Sequence, residues 1–244
     1  MSSLARLHLI TDTRPGRDPL STVRAALSVA GPELAVQVRV EDNTDDRAAY
    51  ELAREILALC DAYGAACLVN DRLHVALAVG AVGAHVGARD LPVDVARRLL
   101  GPTAVLGATA RDPETGLAAV DAGASYLGVG PCYATRTKDG LPDPIGPAGI
   151  RRVASAVPVP VIAIGGITAA QVSALRAAGA YGVAVVGALS VAVDPARATA
   201  ELLAALRAPL PADPTPEAAA AAEIDRSSPP GGGASAPSAG VATC

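Results

Sequence analysis

The 244-residue chain has no Phe and no Trp, five Tyr and a single Met. Stacking platforms for single-stranded nucleic acid need several exposed rings, and duplex binding needs a basic face. With 20 Lys+Arg against 24 Asp+Glu, a net charge of −4, the chain supplies neither, so nucleic acid is not expected as a partner. Metal and disulfide frameworks are equally short of material. Cys60, Cys67, Cys132 and Cys244 contain no C-x-x-C pair, and His8, His74 and His85 are scattered, so the cysteines read as small buried hydrophobes plus one thiol in the C-terminal segment. A clean membrane-spanning run is also missing. Mean hydropathy is +0.36, yet the longest uncharged run, between Arg152 and Arg176, is broken by Pro158, Pro160, Gly165, Gly166, Thr168 and Gln171. It reads as strand, glycine turn and helix rather than a span. No basic-then-apolar signal pattern opens the chain, so a soluble, cytoplasmic protein with no membrane partner is expected.

What the chain does have is Ala, Val, Leu and Ile in short runs. LHLIT (7–11), LAVQVRV (34–40), ACLVN (66–70), GAHV (83–86), AVLGA (104–108), YLGVG (126–130), VIAIG (161–165) and GVAVV (182–186) read as strands. Helical patterns lie between them. In residues 45–64, Tyr50, Leu52, Ile56, Leu57 and Leu59 can share a broad apolar face. Asp112–Pro113 and Asp194–Pro195 each place a capping residue before Pro at the first helical position. Eight strands buried on both faces and separated by helices predict an α/β TIM (β/α)8 barrel over residues 1–207. An open doubly wound sheet is the alternative, though its G-x-G-x-x-G fingerprint after the first strand is absent. Residues 208–244 are rich in Pro, Ala, Gly and Ser and read as a low-complexity disordered tail.

On this reading, polar residues collect beyond the C-terminal strand ends, where barrel enzymes build their sites. Thr11 and Asp12 follow the first strand, Gln37 and Arg39 lie on the last part of the second, and Asn70 and Asp71 end the third. Asp90 follows the fourth, Thr109 the fifth, and Thr135, Thr137 and Lys138 the sixth. Glycine turns after the last two strands, AIGGI (163–167) and AVVGA (184–188), suit a phosphate approached by backbone N–H groups, or are simply tight turns needing positive φ. Asp71 and Asp90, at neighbouring strand ends with Arg39 and Lys138 nearby, suggest Mg²⁺ bridging protein and phosphate; each Asp could instead cap the next helix. In YATRTKDG (133–140) an extended backbone puts Thr135 and Thr137 on one side, beside the charge of Lys138, and the following residues suggest a lid.

Taken in order, HLITD, VQVR, VNDR, AHVGARDLP, LGATARDPE, GVGPCYATRTK, AIGGI and GVAVVGAL resemble the thiamine phosphate synthase family over about residues 5–207. The resemblance implies a TIM-barrel transferase of thiamine biosynthesis. It would condense hydroxymethylpyrimidine diphosphate with a thiazole phosphate, carboxylated or not, to give thiamine phosphate and pyrophosphate with Mg²⁺ as cofactor. By motif, Gln37 would contact the pyrimidine; Arg39, Asn70 and Lys138 would hold its diphosphate; and Asp71 and Asp90 would be the metal ligands. Thr109 occupies the position of a serine near the reacting centre. Thr135, Thr137, Gly166, Val186 and Gly187 match the thiazole phosphate site. Arg39, Lys138 and Thr109 are then the expected catalytic residues, and a homo-oligomer stays open.

The chain departs from the family pattern at Glu41, where a lysine is usual, at Ala88, where Gln is usual, and at Thr109 and Gly187, which replace serines. Glu41 and Ala88 leave room for a non-catalytic phosphate-ligand binder. A thiazole tautomerase is the other alternative, but that group has a catalytic His where this chain has Pro131, and it tends to lose the two Asp residues kept here.

Overall fold

A computed structural model describes residues 4–135, 137, 140 and 142–210 of the chain. Eight strands alternate with helices: β1 (Leu7–Ile10), α1 (Pro19–Ala30), β2 (Leu34–Val38), α2 (Asp46–Tyr63), β3 (Ala66–Asn70), α3 (Leu73–Val79), β4 (Gly83–Val86), α4 (Val93–Leu100), β5 (Val105–Ala110), α5 (Pro113–Asp121), β6 (Tyr126–Val129), α6 (Gly146–Ala154), β7 (Val161–Ile164), α7 (Ala169–Ala177), β8 (Gly182–Val185), α8 (Gly187–Ser190) and α9 (Pro195–Arg207). Every strand pair is parallel, and β8 pairs with β1, so the sheet closes into a barrel in sequence order. The expected TIM barrel is therefore the fold, and the doubly wound alternative is excluded. The tail expected over residues 208–244 lies, from 211 on, outside the described residues.

Closure gives each strand two buried faces. Outward residues such as Leu9, Val36, Val69, Leu106, Leu127 and Val183 pack under the helices. Inward residues Ile10, Leu68, Tyr126, Ile162 and Ala184 fill the barrel. The polar inward residues His8, Gln37 and His85 are also buried. This period of two decides which strand residues can reach the C-terminal mouth. Gln37, Asn70 and Thr109 each stand two residues beyond an inward position, Ala35, Leu68 and Gly107, and so occupy the uppermost inward row.

Two strand ends lie two residues from the sequence reading. β2 stops at Val38, leaving Arg39 just beyond it, whereas β5 runs on to Ala110, so that Thr109 lies inside the strand, in register with Gly128 of β6. The helix faces differ as well. The buried stripe of α2 is Ala49, Ala53, Ile56 and Cys60; Leu52, Leu57 and Leu59 only flank it, and Tyr50 is exposed. Small side chains win the stripe because the helix lies close against the sheet. Asp112 and Asp194 cap α5 and α9 as expected, with Oδ1 accepting from Thr115 N at 2.8 Å and Arg197 N at 3.0 Å. Asp18 caps α1 in the same way. Cys60, Cys67 and Cys132 are buried. Among the described residues no helix is long and apolar enough to cross a membrane.

Candidate active site

The mouth of the barrel is built first by the chain leaving β2. Thr11, just past β1, donates its N–H to Gln37 O (3.0 Å) and its hydroxyl to Arg39 O (2.6 Å), and accepts from Arg39 N (2.8 Å). Thr13 accepts from Glu41 N (3.1 Å). These bonds keep residues 39–41 extended, so Arg39 and Glu41, two apart, face the same way, and Arg39 Nη1 lies 3.3 Å from Glu41 Oε1. Glu41 therefore occupies the guanidinium expected to hold a diphosphate.

The carboxylates come next. Asp71 is the one described non-glycine residue with positive φ (66°), and its N–H donates to His85 O (2.9 Å), which sets it beside the end of β4. Backbone held in the left-handed region costs about 1–3 kcal/mol and collects at functional sites. Neither Asp71 nor Asp90 is a helix cap: α3 and α4 start behind Arg72 and Pro92, and neither position makes a side-chain capping bond. Asp90 instead turns back, its Oδ2 accepting from Gly87 N at 2.7 Å. A Cβ built on Gly87 would lie 3.0 Å from that oxygen and 3.9 Å from Thr109 Oγ1, so carboxylate and hydroxyl share one stretch of rim. Asn70 Oδ1, next to Asp71 in sequence, is buried with no hydrogen-bond partner. An unmet oxygen acceptor at the end of β3, with Asp71 next in sequence and Asp90 following β4, is of the oxygen-donor type that suits a hard cation taking few protein ligands and filling its shell with water and phosphate.

A second cradle forms across the barrel. Thr135 Oγ1 and Thr137 Oγ1 are 3.1 Å apart. A Cβ on Gly187 would meet Thr137 Cγ2 at 3.4 Å, so the loop after β6 reaches the turn that opens α8 beyond β8. The AIGGI turn is bound to that loop too: Cys132 N donates to Ile164 O (2.8 Å) and Tyr133 N to Gly165 O (3.0 Å). Gly166 has φ 66°, and a Cβ there would lie 2.5 Å from Ala134 O, so both positive φ and close approach demand glycine. Thr135, Thr137, Gly166, Val186 and Gly187 thus gather at one side of the mouth. Lys138 and the lid reading of its neighbours lie outside the described residues.

Three features escaped the sequence reading. Asp12 is buried and accepts from Arg14 Nε and Nη2 (2.8 Å each) and from Ser190 Oγ (2.7 Å), tying the loop after β1 to α8. The Arg14 hydrogen bonds hold its carboxyl down to about 2. Arg17 lies 3.6 Å from the same carboxylate, which brings two further cations to the rim. Second, two of the three histidines share an environment: His8 and His85 both enter the barrel and reach Tyr126 through 2.8–3.1 Å contacts. Third, a ring reaches an expected site residue, since the buried Tyr126 hydroxyl accepts from Gln37 Nε2. Barrel closure makes these contacts, and the linear pattern marks them only indirectly. The two glycines that make room for the rings, Gly107 and Gly128, were the available signal.

A family profile described as thiamine monophosphate synthase matches residues 7–189, from β1 into α8. A thiamine-phosphate synthase of Salinispora arenicola is 71% identical over 206 residues, 84% of this chain and 99% of that protein. One of Salinispora tropica is 69% identical over the same shares. Among solved structures, a thiamine phosphate pyrophosphorylase of Pyrococcus furiosus superposes with a TM-score of 0.74 at 35% identity, covering 82% of this chain and 95% of that one. The profile spans the strands and both cradles of the mouth, and on this ground the chain belongs to the thiamine monophosphate synthase family.

Proposed function

We propose that the chain is a thiamine-phosphate synthase that joins hydroxymethylpyrimidine diphosphate to a thiazole phosphate and releases pyrophosphate. The observation that carries the reading is the pair of cradles at one barrel mouth. Asn70, Asp71 and Asp90 stand on the β3–β4 side, and Thr135, Thr137 and Gly187 on the β6–β8 side. Two phosphorylated substrates need two such places, and a strand-end rim can face them toward each other.

Gln37 and Thr109, in the uppermost inward row, would bind the pyrimidine between the cradles. Arg39, Asn70 and Lys138 would hold the diphosphate. The thiazole phosphate would lie on the Thr135 and Thr137 hydroxyls and the backbone of Gly166, Val186 and Gly187. In the reaction the bond from the pyrimidine methylene carbon to diphosphate oxygen breaks, and its electron pair leaves with pyrophosphate. The thiazole nitrogen supplies the pair for the new carbon–nitrogen bond. Arg39 and Lys138 stabilise the charge gathering on the leaving oxygens. Mg²⁺, held by Asp71 and Asp90, would add Lewis-acid stabilisation of the same group. No protein nucleophile is required, and alignment of the two substrates supplies much of the rest. A cytoplasmic enzyme accords with soluble phosphorylated substrates.

Purified protein supplied with both substrates and Mg²⁺ is expected to release pyrophosphate, and Asp71→Asn to lower that rate by at least about 100-fold, the scale of a lost electrostatic stabiliser. Thiazole phosphate binding with no pyrophosphate release would exclude the synthase and leave a ligand-binding protein.

A further inference from the structure

A single file of hydrogen bonds runs up the barrel interior to the mouth. His8 Nε2 lies 3.0 Å from Ala5 O below β1, and His8 Nδ1 lies 2.8 Å from Gln37 Nε2. Gln37 Nε2 is also 3.1 Å from Tyr126 OH. Tyr126 OH is 3.1 Å from His85 Nδ1, and His85 Nε2 is 3.1 Å from Thr109 Oγ1. His8 and Tyr126 are 0% exposed and Gln37 2%, so no bulk water enters the file below His85. The space is built for the contact. A Cβ on Gly107 would fall 2.4 Å from His85 Nδ1 and 2.4 Å from Tyr126 OH, so a side chain at that point of β5 would part the two.

The direction of every bond follows from its lowest member. A carbonyl oxygen only accepts, so His8 Nε2 carries a proton. Burial lowers the His8 pKa to about 4, which keeps the ring neutral and leaves Nδ1 an acceptor. The Gln37 group facing Nδ1 must therefore be its NH₂, because a carbonyl oxygen there would set two acceptors 2.8 Å apart. The second amide proton goes to the Tyr126 oxygen. The Tyr126 proton then has His85 Nδ1 as acceptor, so His85 carries its proton on Nε2 and donates to Thr109. Two consequences reach the mouth. Gln37 Oε1 is left buried without a partner, and the Thr109 hydroxyl, already accepting from His85, has its proton free for a ligand.

We propose that His8, Tyr126 and His85 are positioning residues that set the hydrogen-bonding polarity of the pyrimidine pocket, presenting Gln37 as an obligate acceptor and Thr109 as a donor. This rests on the synthase reading for the identity of the ligand, and it deepens that reading. A 4-aminopyrimidine offers an N–H donor and ring-nitrogen lone pairs and so matches the pocket. Its 4-oxo analogue offers an acceptor and an N–H where these stood, and the diphosphate prevents it from turning over. The division of labour is also specific. His8 governs Gln37, whereas Tyr126 governs Thr109 through the tautomer of His85, because without the tyrosine proton His85 can carry its hydrogen on Nδ1 and accept from Thr109 instead.

Two measurements test this, and neither requires turnover. Nitrogen-15 imidazole spectra of the unliganded wild type should show His8 and His85 as single neutral Nε2–H tautomers. A Nδ1–H tautomer or an imidazolium at either position at neutral pH overturns the proposal. Calorimetry with the 4-amino and 4-oxo pyrimidine diphosphates and Mg²⁺ should show wild-type preference for the amino compound by at least about tenfold, the consequence of one mismatched buried polar group. In Tyr126→Phe that preference should fall several-fold, with the His85 spectrum changed and the affinity for thiazole phosphate kept. An equal loss of affinity for both pyrimidines, or an unchanged His85 spectrum, would mean that Tyr126 only fills space. Should wild type bind the pyrimidines with the stated preference yet release no pyrophosphate, the synthase reading falls and the polarity assignment stands. Binding of neither pyrimidine overturns both.

Discussion

Glu41 shows how much one side chain can alter a site of this kind. Its backbone is fixed by Thr13, and its carboxylate lies on Arg39 at 3.3 Å, so a diphosphate has to compete with a built-in anion for the guanidinium. Both side chains are partly exposed, and solvent screens the pair, so the penalty is moderate rather than prohibitive. Glu41→Lys removes the competitor and adds a cation. It should tighten Mg²⁺–pyrophosphate binding by on the order of tenfold, with the ionic-strength dependence steepened; equal affinities by calorimetry would show that Glu41 swings clear of the bound anion. The motif VQVRVED makes the substitution visible in the sequence. Its pairing with Arg39 is a matter of β2 ending at Val38 and the chain remaining extended beyond it, which the longer strand expected from LAVQVRV did not reveal.

At the scale of elements, the same residue type plays different parts at different helix starts. Asp112 accepts from the third residue of α5 within a reciprocal capping box, and Asp112→Ala should lower stability by about 1 kcal/mol. Asp90 precedes α4 but bonds to Gly87 instead, leaving Pro92 at the cap position. Asp90→Ala should therefore leave the melting temperature within about 2 °C of wild type and abolish Mg²⁺-dependent turnover. A fall in stability as large as that of Asp112→Ala would return Asp90 to a structural role. Asp-Pro pairs were readable as caps from sequence because Pro at the first helical position fixes the register. Asp71 and Asp90 lacked that mark. Their roles separated from capping only in the structure, where Arg72 takes the cap position of α3 and Pro92 that of α4.

For the whole molecule, the interior file has a thermodynamic cost that pH should expose. His8 titrates near 6.5 when unfolded and at about 4 in the barrel, because burial disfavours the imidazolium. The unfolded chain thus binds the extra proton first, and stability falls as pH drops from about 6.5 to about 4, by roughly 3 kcal/mol in all. Asp12 adds a loss of the same sign at lower pH. Its carboxyl, held down to about 2 by Arg14, contributes stability present above the ordinary carboxylate pKa of 3.8 and lost as pH falls through about 2. Denaturant midpoints between pH 7 and 4 should therefore decline with a slope that His8→Leu flattens; an unflattened slope would place the responsible proton elsewhere. Apolar runs, turn glycines and Asp-Pro caps determined the eight βα units by themselves, because a strand covered on both faces must be apolar throughout and local chemistry marks its ends. The polar residues after the strands were legible for the same reason, since each lies only a few residues from its strand. What the tertiary structure alone decided is the interior. His8, Gln37, His85, Thr109 and Tyr126 come from five strands, with Gln37 and Tyr126 89 residues apart. Only closure of the sheet, with inward side chains meeting across the barrel axis, turns five separate polar residues into one directed chain of hydrogen bonds.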